Sequence, residues 1–231
     1  MAEHAEQAEH ATGGARSVVI TGASRGLGLA SAAHLHRQGW HVLAAMRSPD
    51  VGLARLREAT GAAPDDPRLS AVRLDLDDPA SIIGCARAVE KALGSPDAIV
   101  HNAAYMSVGC VEEMPASIWQ QLFSTNLLGP VRLTQELLPV MRAAGRGRIV
   151  VISSAAGVRG MPTISAYSAS KGALERWAEA LAEEVAPSAS ASPSSSRARS
   201  THPWTRPSPT PTWRGRTASI TPGSNVPASA S

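Results

Sequence analysis

In this 231-residue sequence, Tyr167 and Lys171, four positions apart, are the pair of side chains whose types and spacing most clearly suit proton-transfer chemistry. They lie near the start of a stretch that predicts a helix, and a spacing of four places both on one helical face. A phenol that gives a proton to a carbonyl oxygen near neutral pH needs a pKa well below its usual value of about 10, and a nearby ammonium lowers that pKa by favouring the phenolate. We therefore expect proton transfer at Tyr167, with an ordinary exposed helix pair as the alternative.

The elements that must position this pair alternate between short β-rich runs and longer helical stretches. Strands are predicted at 17–21, 41–45, 70–76, 97–102 and 148–153, and helices near 26–38, 51–59, 79–93, 116–144 and 165–186. Several strands are apolar on both faces, as strands between two helical layers must be. The expected fold class is α/β, a Rossmann-type doubly wound parallel sheet, in which ligands bind at the carboxyl ends of the strands.

A glycine-rich turn joins the first predicted strand to the first predicted helix. It contains Gly22, Gly26 and Gly28. Glycines let a backbone turn tightly and approach a pyrophosphate, whose charge the helix N-terminus favours. The strand before the turn and the helix after it therefore indicate a dinucleotide site. A plain tight connection is the alternative.

The segment from Thr21 to Gly28 reads T-G-x-x-x-G-x-G and resembles the turn of the short-chain dehydrogenase/reductase family, a resemblance that covers about residues 17–187. It implies a nicotinamide dinucleotide and hydride transfer to or from a carbonyl or alcohol carbon. His101 and Ala104 depart from the family's N-N-A-G, whereas the two residues between them match it. The candidate cofactor-binding residues are Gly22, Ser24, Arg25, Gly26, Leu27, Gly28, Arg47, Asp75, Leu76, Asn102, Ala103, Tyr167 and Lys171.

The resemblance also assigns a catalytic set of four residues. Tyr167 is the acid–base, Lys171 tunes its pKa and holds the nicotinamide ribose, and Ser154 hydrogen-bonds the substrate carbonyl. Asn126, inside the predicted helix 116–144, matches an asparagine that helps hold a proton-relay water; a capping or kink role near Gly129-Pro130 is the alternative. Ser153 should point away from its neighbour Ser154, because side chains alternate along a strand.

The residues that follow the second strand bear on the choice of cofactor. An NAD site usually has an Asp or Glu there to bind the ribose hydroxyls. This sequence instead has Met46 and Arg47, with Arg25 in the glycine turn. Two guanidinium groups suit a 2′-phosphate, so NADP is the expected cofactor and NAD the less favoured one. Two solvated surface arginines are the alternative.

The two ends differ in composition from the body. Residues 1–15 are polar and lack the apolar core of a secretory signal, and 188–231 are rich in Ser, Pro, Thr and Arg with no acidic residue. We expect a disordered extension over 1–15, a C-terminally incomplete catalytic domain over 16–187, and a disordered tail. The net charge of +3 comes from the five Arg of that tail, so it does not by itself indicate nucleic-acid binding.

The tail occupies the place where the family has two further strands, a Pro-Gly turn and a substrate-covering segment. If codons are G/C-rich, a frame displaced by one base turns 188–201 into V-G-V-G-V-A-V-V-E-P-G-A-V-D, a strand-like run with a Pro-Gly turn beyond it. We therefore expect a frameshift after Pro187, with a genuine tail as the alternative. The chain should then be destabilised and weakly active or inactive, and its sheet should end in an exposed edge.

The expected function is that of an NADP-dependent oxidoreductase acting on a small carbonyl or secondary alcohol. The stretch NLLGPVRLTQELLPVMR resembles the steroid- and retinol-type branch, which implies a hydrophobic substrate. A catalytically silent dinucleotide-binding sensor or partner protein is the alternative. It would explain the altered C-terminal region but not the intact catalytic set. A nucleic-acid binder is disfavoured, because the tail's Trp and Arg do not stand on a folded platform.

Other partners and the compartment follow from smaller signals. Cys85 and Cys110 have neither CxxC spacing nor a nearby His cluster, so we expect no metal and a reducing cytoplasm. No apolar run reaches the roughly 18–20 residues that a membrane helix needs, so we expect no membrane association. The resemblance implies a homo-oligomer formed through the two long helices near 116–144 and 165–186.

Overall fold

The computed structural model describes residues 15–186 and, as backbone, 216–220. Five parallel strands form the centre of the sheet: β1 (Ser17–Thr21), β2 (His41–Met46), β3 (Leu69–Arg73), β4 (Ala98–His101) and β5 (Gly147–Val151). Their order is β3-β2-β1-β4-β5. The predicted α/β, doubly wound parallel fold is confirmed. The predicted N-terminal extension and most of the predicted tail lie outside the described residues.

The helices pack on both faces of this sheet. They are α1 (Gly26–Arg37), α2 (Pro49–Thr60), α3 (Pro79–Leu93), α4 (Ala116–Phe123), α5 (Gly129–Ala144), α6 (Ala155–Val158) and α7 (Ser165–Val185). Alternate residues of β1 enter different cores. Val19 packs in a cluster with residues of α3, α5 and α7, whereas Val18 and Ile20 pack with residues of α1 and α2. This double burial explains why the strands are apolar on both faces.

The topological switch point lies between β1 and β4. The strand β1 pairs with β2 on one side and with β4 on the other: the chain runs from β1 outward to β2 and β3, and then crosses back from β3 to β4 on the opposite side of β1. A crevice forms outside the carboxyl ends of the strands at such a point. The loops that follow β1 and β4 therefore define where a ligand of this sheet binds.

The stretch predicted as one helix over 116–144 is divided by a π-helical turn, Ser124–Leu128, which we call the π turn. It lies between α4 and α5 and is followed by Pro130. A proline has no N–H to donate to the carbonyl four residues earlier, which here belongs to Asn126. The helix therefore cannot keep a regular α pattern at this point, and π turns of this kind occur often at functional sites.

A sixth strand, β6 (Arg216–Ile220), differs from the expectation of an open sheet edge at β5. It pairs antiparallel with β5 along the whole strand, from Gly147 opposite Ile220 to Val151 opposite Arg216. A free edge of β5 would leave a row of N–H and C=O groups without partners. Five residues of the tail satisfy them, and no local sequence pattern marks those five as a strand.

Candidate active site

The carboxyl ends of β1 and β4 are joined by the side chain of Thr21. Its buried Oγ1 accepts the N–H of Asn102 and the N–H of Ala103, both at 3.0 Å. In return, Nδ2 of Asn102 donates to the carbonyls of Thr21 at 2.9 Å and Gly22 at 3.3 Å. These bonds hold the glycine turn against the end of β4. Asn102 and Ala103 are among the site residues predicted from the sequence; Thr21 is not, although it begins the T-G-x-x-x-G-x-G motif.

The glycine turn has the shape that a phosphate-binding turn requires. Gly22 and Gly26 have φ angles of 68° and 55°, in the left-handed region that favours glycine. A Cβ on Gly28 would overlap the carbonyl oxygen of Gly22 and Nδ2 of Asn102, whereas a Cβ on Gly26 would meet only open space. The backbone at the start of α1 is thus closely packed against the end of β4 at Gly28 and open to solvent at Gly26, which fits a pyrophosphate. Ser24, Arg25 and Leu27 lie in the same turn, Arg25 and Leu27 exposed.

The end of β2 carries no carboxylate. Met46 is buried at 3% exposure, and Gly52 of α2 packs against it so closely that a Cβ there would overlap the sulfur. The next residue, Arg47, is exposed, as is Arg25. Both guanidinium groups are therefore accessible at this edge of the sheet.

Asp75 and Leu76 lie just beyond β3, which ends at Arg73. The Asp75 carboxylate accepts the N–H of Asp77 at 3.2 Å, in a local turn. Leu76 is buried and packs against Gly129 at the start of α5, where a Cβ would come 2.8 Å from the Leu76 carbonyl oxygen. The pair thus borders the same edge of the sheet as the glycine turn.

Lys171 is the most enclosed charged side chain of the site, at 2% exposure. Its Nζ donates to the carbonyl oxygen of Ile152, just past β5, at 2.7 Å and lies 6.0 Å from the centre of the Tyr167 ring. Burial lowers the pKa of Lys171 to about 8, and the charge of Glu175 acts in the opposite direction. The expectation that helix α7 brings this lysine to its tyrosine agrees with the structure.

Tyr167 is half-buried at the border of a small apolar cluster. It packs against that cluster together with Tyr105, and the buried members are Met114, Leu122 and Ala166. The aromatic ring is therefore held by contacts with the loop after β4, with α4 and with α7. This leaves the ring on the crevice side of the sheet, beside Lys171.

Asn126 lies in the π turn and is 1% exposed. Its Oδ1 accepts the N–H of Tyr105 at 2.7 Å, and its Nδ2 donates to the carbonyl of Tyr105 and to Oγ of Ser170, each at 2.9 Å. Ser170 in turn donates to the carbonyl of Tyr167 at 2.8 Å. The asparagine amide thus connects the loop after β4 to the helix that carries Tyr167 and Lys171.

The two serines after β5 point to different partners, as the alternation of a strand predicts. Oγ of Ser154 accepts the N–H of Ala156 at 3.1 Å and caps the short helix α6. Oγ of Ser153 donates to Oε1 of Glu175 at 2.6 Å. A serine oxygen that accepts one bond still carries an O–H to donate. Ser170 and Glu175 are not among the predicted site residues, since the side chains that they bond belong to distant segments of the chain.

One histidine and two cysteines considered above are not part of the candidate site. His101 is a core residue: burial lowers its pKa to about 4, Nε2 bonds Thr134 at 2.9 Å, and its ring meets Trp177 edge-on. Cys85 and Cys110 are free thiols, and burial raises the pKa of Cys85 to about 12. Within the described residues no helix is both long and apolar enough to cross a membrane, and no group of three potential metal ligands occurs.

Known proteins are similar to this chain in sequence and in fold over most of the described residues. Oxidoreductase YbbO of Escherichia coli K12, itself uncharacterized, is 39% identical over 174 residues, which are 74% of this chain and 60% of YbbO. Human retinol dehydrogenase 8 is 36% identical over 173 residues, 74% of this chain and 54% of that protein. The crystal structure of a single-residue variant of actinorhodin polyketide ketoreductase with NADPH matches with a TM-score of 0.68 and 31% identity, over 74% of this chain and 64% of that one.

The chain therefore spans less than two thirds of the length of these relatives. Its match to the short chain dehydrogenase family extends over residues 16–190, which include the glycine turn and all four residues of the predicted catalytic set. Proteins of this family are oxidoreductases that bind nicotinamide dinucleotides. By this match and by its fold, the chain belongs to the short-chain dehydrogenase family.

Proposed function

We propose that this protein binds NADP(H) and catalyses hydride transfer between it and a hydrophobic ketone or secondary alcohol. The observation that carries the proposal is the buried ammonium of Lys171, which lies 6.0 Å from the centre of the Tyr167 ring and donates to the carbonyl just past the carboxyl end of β5. A lysine so enclosed, one helical turn from a tyrosine, is what acidification of a phenol requires.

The chain's own residues would handle the proton. When bound, the nicotinamide cofactor supplies or accepts the hydride. In the reducing direction, Oη of Tyr167 donates its proton to the substrate carbonyl oxygen, and Oγ of Ser154 donates a hydrogen bond to the same oxygen. The positive charge of Lys171 then stabilises the phenolate left on Tyr167. In the oxidising direction, the phenolate takes the proton back from the alcohol.

Asn126 enters the proposal as a positioning residue of the proton relay. Its side-chain amide is already bonded to Tyr105 and Ser170, which supports a role in fixing the π turn. The main-chain carbonyl of Asn126 lacks its α-helical donor because Pro130 has no N–H. A relay water would therefore find an acceptor at this carbonyl, and the relay and kink interpretations of Asn126 describe one feature.

The preference for NADP over NAD rests on charge. Arg25 and Arg47 are exposed beside the start of α1, and Met46 stands where an NAD site has a carboxylate. A 2′-phosphate would gain charge-assisted hydrogen bonds from both arginines and meet no like charge. The remaining proposed contacts are the glycine turn for the pyrophosphate, Asp75 and Leu76 for the adenine, and Asn102, Ala103, Tyr167 and Lys171 for the nicotinamide riboside.

The preference for a hydrophobic substrate is supported by the loops at the mouth of the crevice. Several large apolar side chains are exposed there, all on the segments that follow β4 and β5: Met106, Val108, Val111, Val158 and Met161. The two segments are joined by a bond from the N–H of Gly109 to the carbonyl of Thr163 at 2.8 Å. Thr163 has a φ of 62°, a strained value for a β-branched residue. A strained, apolar rim of this kind suits a hydrophobic ligand.

The test compares cofactor binding and turnover in one preparation. NADPH and NADH are titrated by fluorescence, and NADPH consumption is then followed with aromatic ketones, long-chain ketones and sugars. We expect NADPH to bind more tightly than NADH and hydrophobic ketones to be reduced in preference to sugars. Tighter NADH binding would overturn the cofactor assignment. NADPH binding without turnover of any carbonyl, in both forms of the chain described next, would favour the silent sensor.

We further propose that the codons after Pro187 are read in a displaced frame, because the family match ends at residue 190. The chain as printed would then turn over slowly, and a chain with the frame restored would be faster. Sequencing the nucleotides across codons 180–231 tests this: an open frame that encodes V-x-V-x-V-V-E-P-G is expected. Its absence would establish the tail as genuine. Size-exclusion chromatography of both forms tests the proposed homo-oligomer.

A further inference from the structure

We infer that Glu175, buried one helical turn beyond Lys171 and bonded by Ser153, is a positioning residue that acts through Lys171 by keeping its ammonium in the charged form. This inference rests on the proposed function, since it concerns the same lysine. It adds a fifth and a sixth residue to the predicted set of four. Neither of them reaches the reacting atoms.

The carboxylate of Glu175 occupies a closely fitted space between α7, α6 and the end of β5. Its exposure is 7%, and Oε1 accepts the Ser153 hydroxyl at 2.6 Å. Gly157 of α6 faces it: a Cβ there would come 3.1 Å from Oε1 and 2.9 Å from Oγ of Ser153. The second oxygen, Oε2, lies 3.8 Å from Nη2 of Arg176. Both oxygens of the carboxylate are therefore accounted for.

Burial makes the charge of Lys171 costly, and Glu175 offsets that cost. An isolated ammonium at 2% exposure loses most of its hydration, and a single carbonyl acceptor, that of Ile152, replaces little of it. An opposite charge at the i+4 position of the same helix restores favourable electrostatics. Accordingly, Glu175 raises the pKa of Lys171 against the lowering effect of burial.

The surroundings on each packed element are otherwise weakly charged. The segment just after β5 contributes the Ile152 carbonyl and the Ser153 hydroxyl, and α6 contributes Gly157. On α7 itself the titratable or charged groups in recorded contact with this network are Tyr167, Glu175 and Arg176. Among these groups, which all belong to the described residues, Glu175 is thus the one carboxylate.

A purely structural role would not need a carboxylate. A buried carboxylate is expensive to desolvate, and an amide could accept the Ser153 hydroxyl with nearly the same shape. The charge is therefore the property that distinguishes Glu175 from a packing residue. Neutralising Glu175 should therefore lower the pKa of Lys171, and that change can be measured.

The chain contains only two lysines, Lys91 and Lys171, which makes a direct measurement simple. The protein is labelled with ¹³C-lysine, and the Cε resonances are followed against pH by NMR without cofactor or substrate. Lys91→Arg assigns the two signals. We expect Lys171 in Glu175→Gln to titrate about 1 pH unit or more below its value in the parent protein. The matched control is Glu179→Gln, which removes the same charge one turn further along α7 and also a partner of Arg176.

Equal shifts in Glu175→Gln and Glu179→Gln, or no shift in either, would overturn the inference. Two further variants keep it falsifiable if Glu175→Gln does not fold. Ser153→Ala keeps the charge of Glu175 but removes the donor that orients its carboxylate, and it should lower the Lys171 pKa by less than Glu175→Gln does. Glu175→Asp keeps a carboxylate on the same helical face, so the Lys171 pKa in that variant should lie close to its value in the parent protein. An unchanged Lys171 titration in Ser153→Ala, together with a fully shifted one in Glu175→Asp, would contradict the proposal. None of these readings requires turnover, so failure here leaves the proposed reaction untouched, and failure of that reaction leaves this result standing.

Discussion

The amide of Asn126 in the π turn donates to the hydroxyl of Ser170 in α7 at 2.9 Å, and the two residues are 44 positions apart in the chain. Ser170 passes the connection on to the carbonyl of Tyr167. The π turn is thus hydrogen-bonded to the first part of α7, so a displacement of the π turn would also displace α7. A helix irregularity that is distant in sequence from the Tyr-Lys pair is thus connected to it by two hydrogen bonds.

Tyr167→Phe removes the proposed proton donor while keeping the apolar ring. We expect kcat to fall by about 10²–10⁴-fold, because that is the usual contribution of a positioned acid or base. The dissociation constant of NADPH should stay nearly unchanged. The control is Tyr105→Phe, the chain's other tyrosine, whose recorded bonds to Asn126 use only its main chain. Equal losses in both variants would show that ring packing, not proton transfer, is the cause.

Arg25→Ala and Arg47→Ala should weaken NADPH binding selectively. A hydrogen bond to a charged group contributes about 1.5–3 kcal/mol, so each substitution should raise the NADPH dissociation constant by about tenfold or more. NADH has no 2′-phosphate, and its affinity should change little. Fluorescence titration with both cofactors measures this. Arg87→Ala, on the exposed face of α3, is the control. A parallel loss for NADH would mean that the arginines do not discriminate between the cofactors.

Gly28→Ala places a methyl group where the Gly22 carbonyl and the Asn102 amide already lie. We expect the free energy of unfolding to fall by about 1–3 kcal/mol, as in other overpacked sites, and NADPH binding to be lost. The matched change is Gly84→Ala in α3, where a Cβ would meet nothing within 4 Å. That variant should be about 0.5–1 kcal/mol more stable, because alanine is the better helix former. Urea unfolding distinguishes the two.

The buried His101 makes stability depend on pH. Its pKa falls from 6.5 to about 4 on folding, so the unfolded chain binds a proton more readily than the folded one. Its contribution to stability is therefore complete above about pH 6.5 and is lost as the pH falls towards 4, by up to about 3 kcal/mol. His101→Asn should flatten that part of the stability profile, measured by urea unfolding between these values. His34→Asn, at an exposed position of α1, should leave the profile as it is.

The sequence by itself determined the fold class and most of the residues that define the site. Runs such as V-V-I and I-V-V are apolar on both faces, which only a sheet covered on both sides can bury. Gly22, Gly26 and Gly28 mark the turn because glycine favours positive φ angles and close backbone approach, and the interval from Tyr167 to Lys171 is one turn of a helix. These signals are local: each depends on residues within a few positions of each other.

The tertiary structure alone decided what each of these residues is bonded to. The contact of Ser153 with Glu175 and the two hydrogen bonds that Thr21 accepts join segments 22 to 82 positions apart. A hydrogen bond between such distant segments leaves no periodic trace in either of them. The same is true of β6, whose five residues pair with β5 from a distant part of the chain. Long-range partners are set by how the layers pack, which no local pattern encodes.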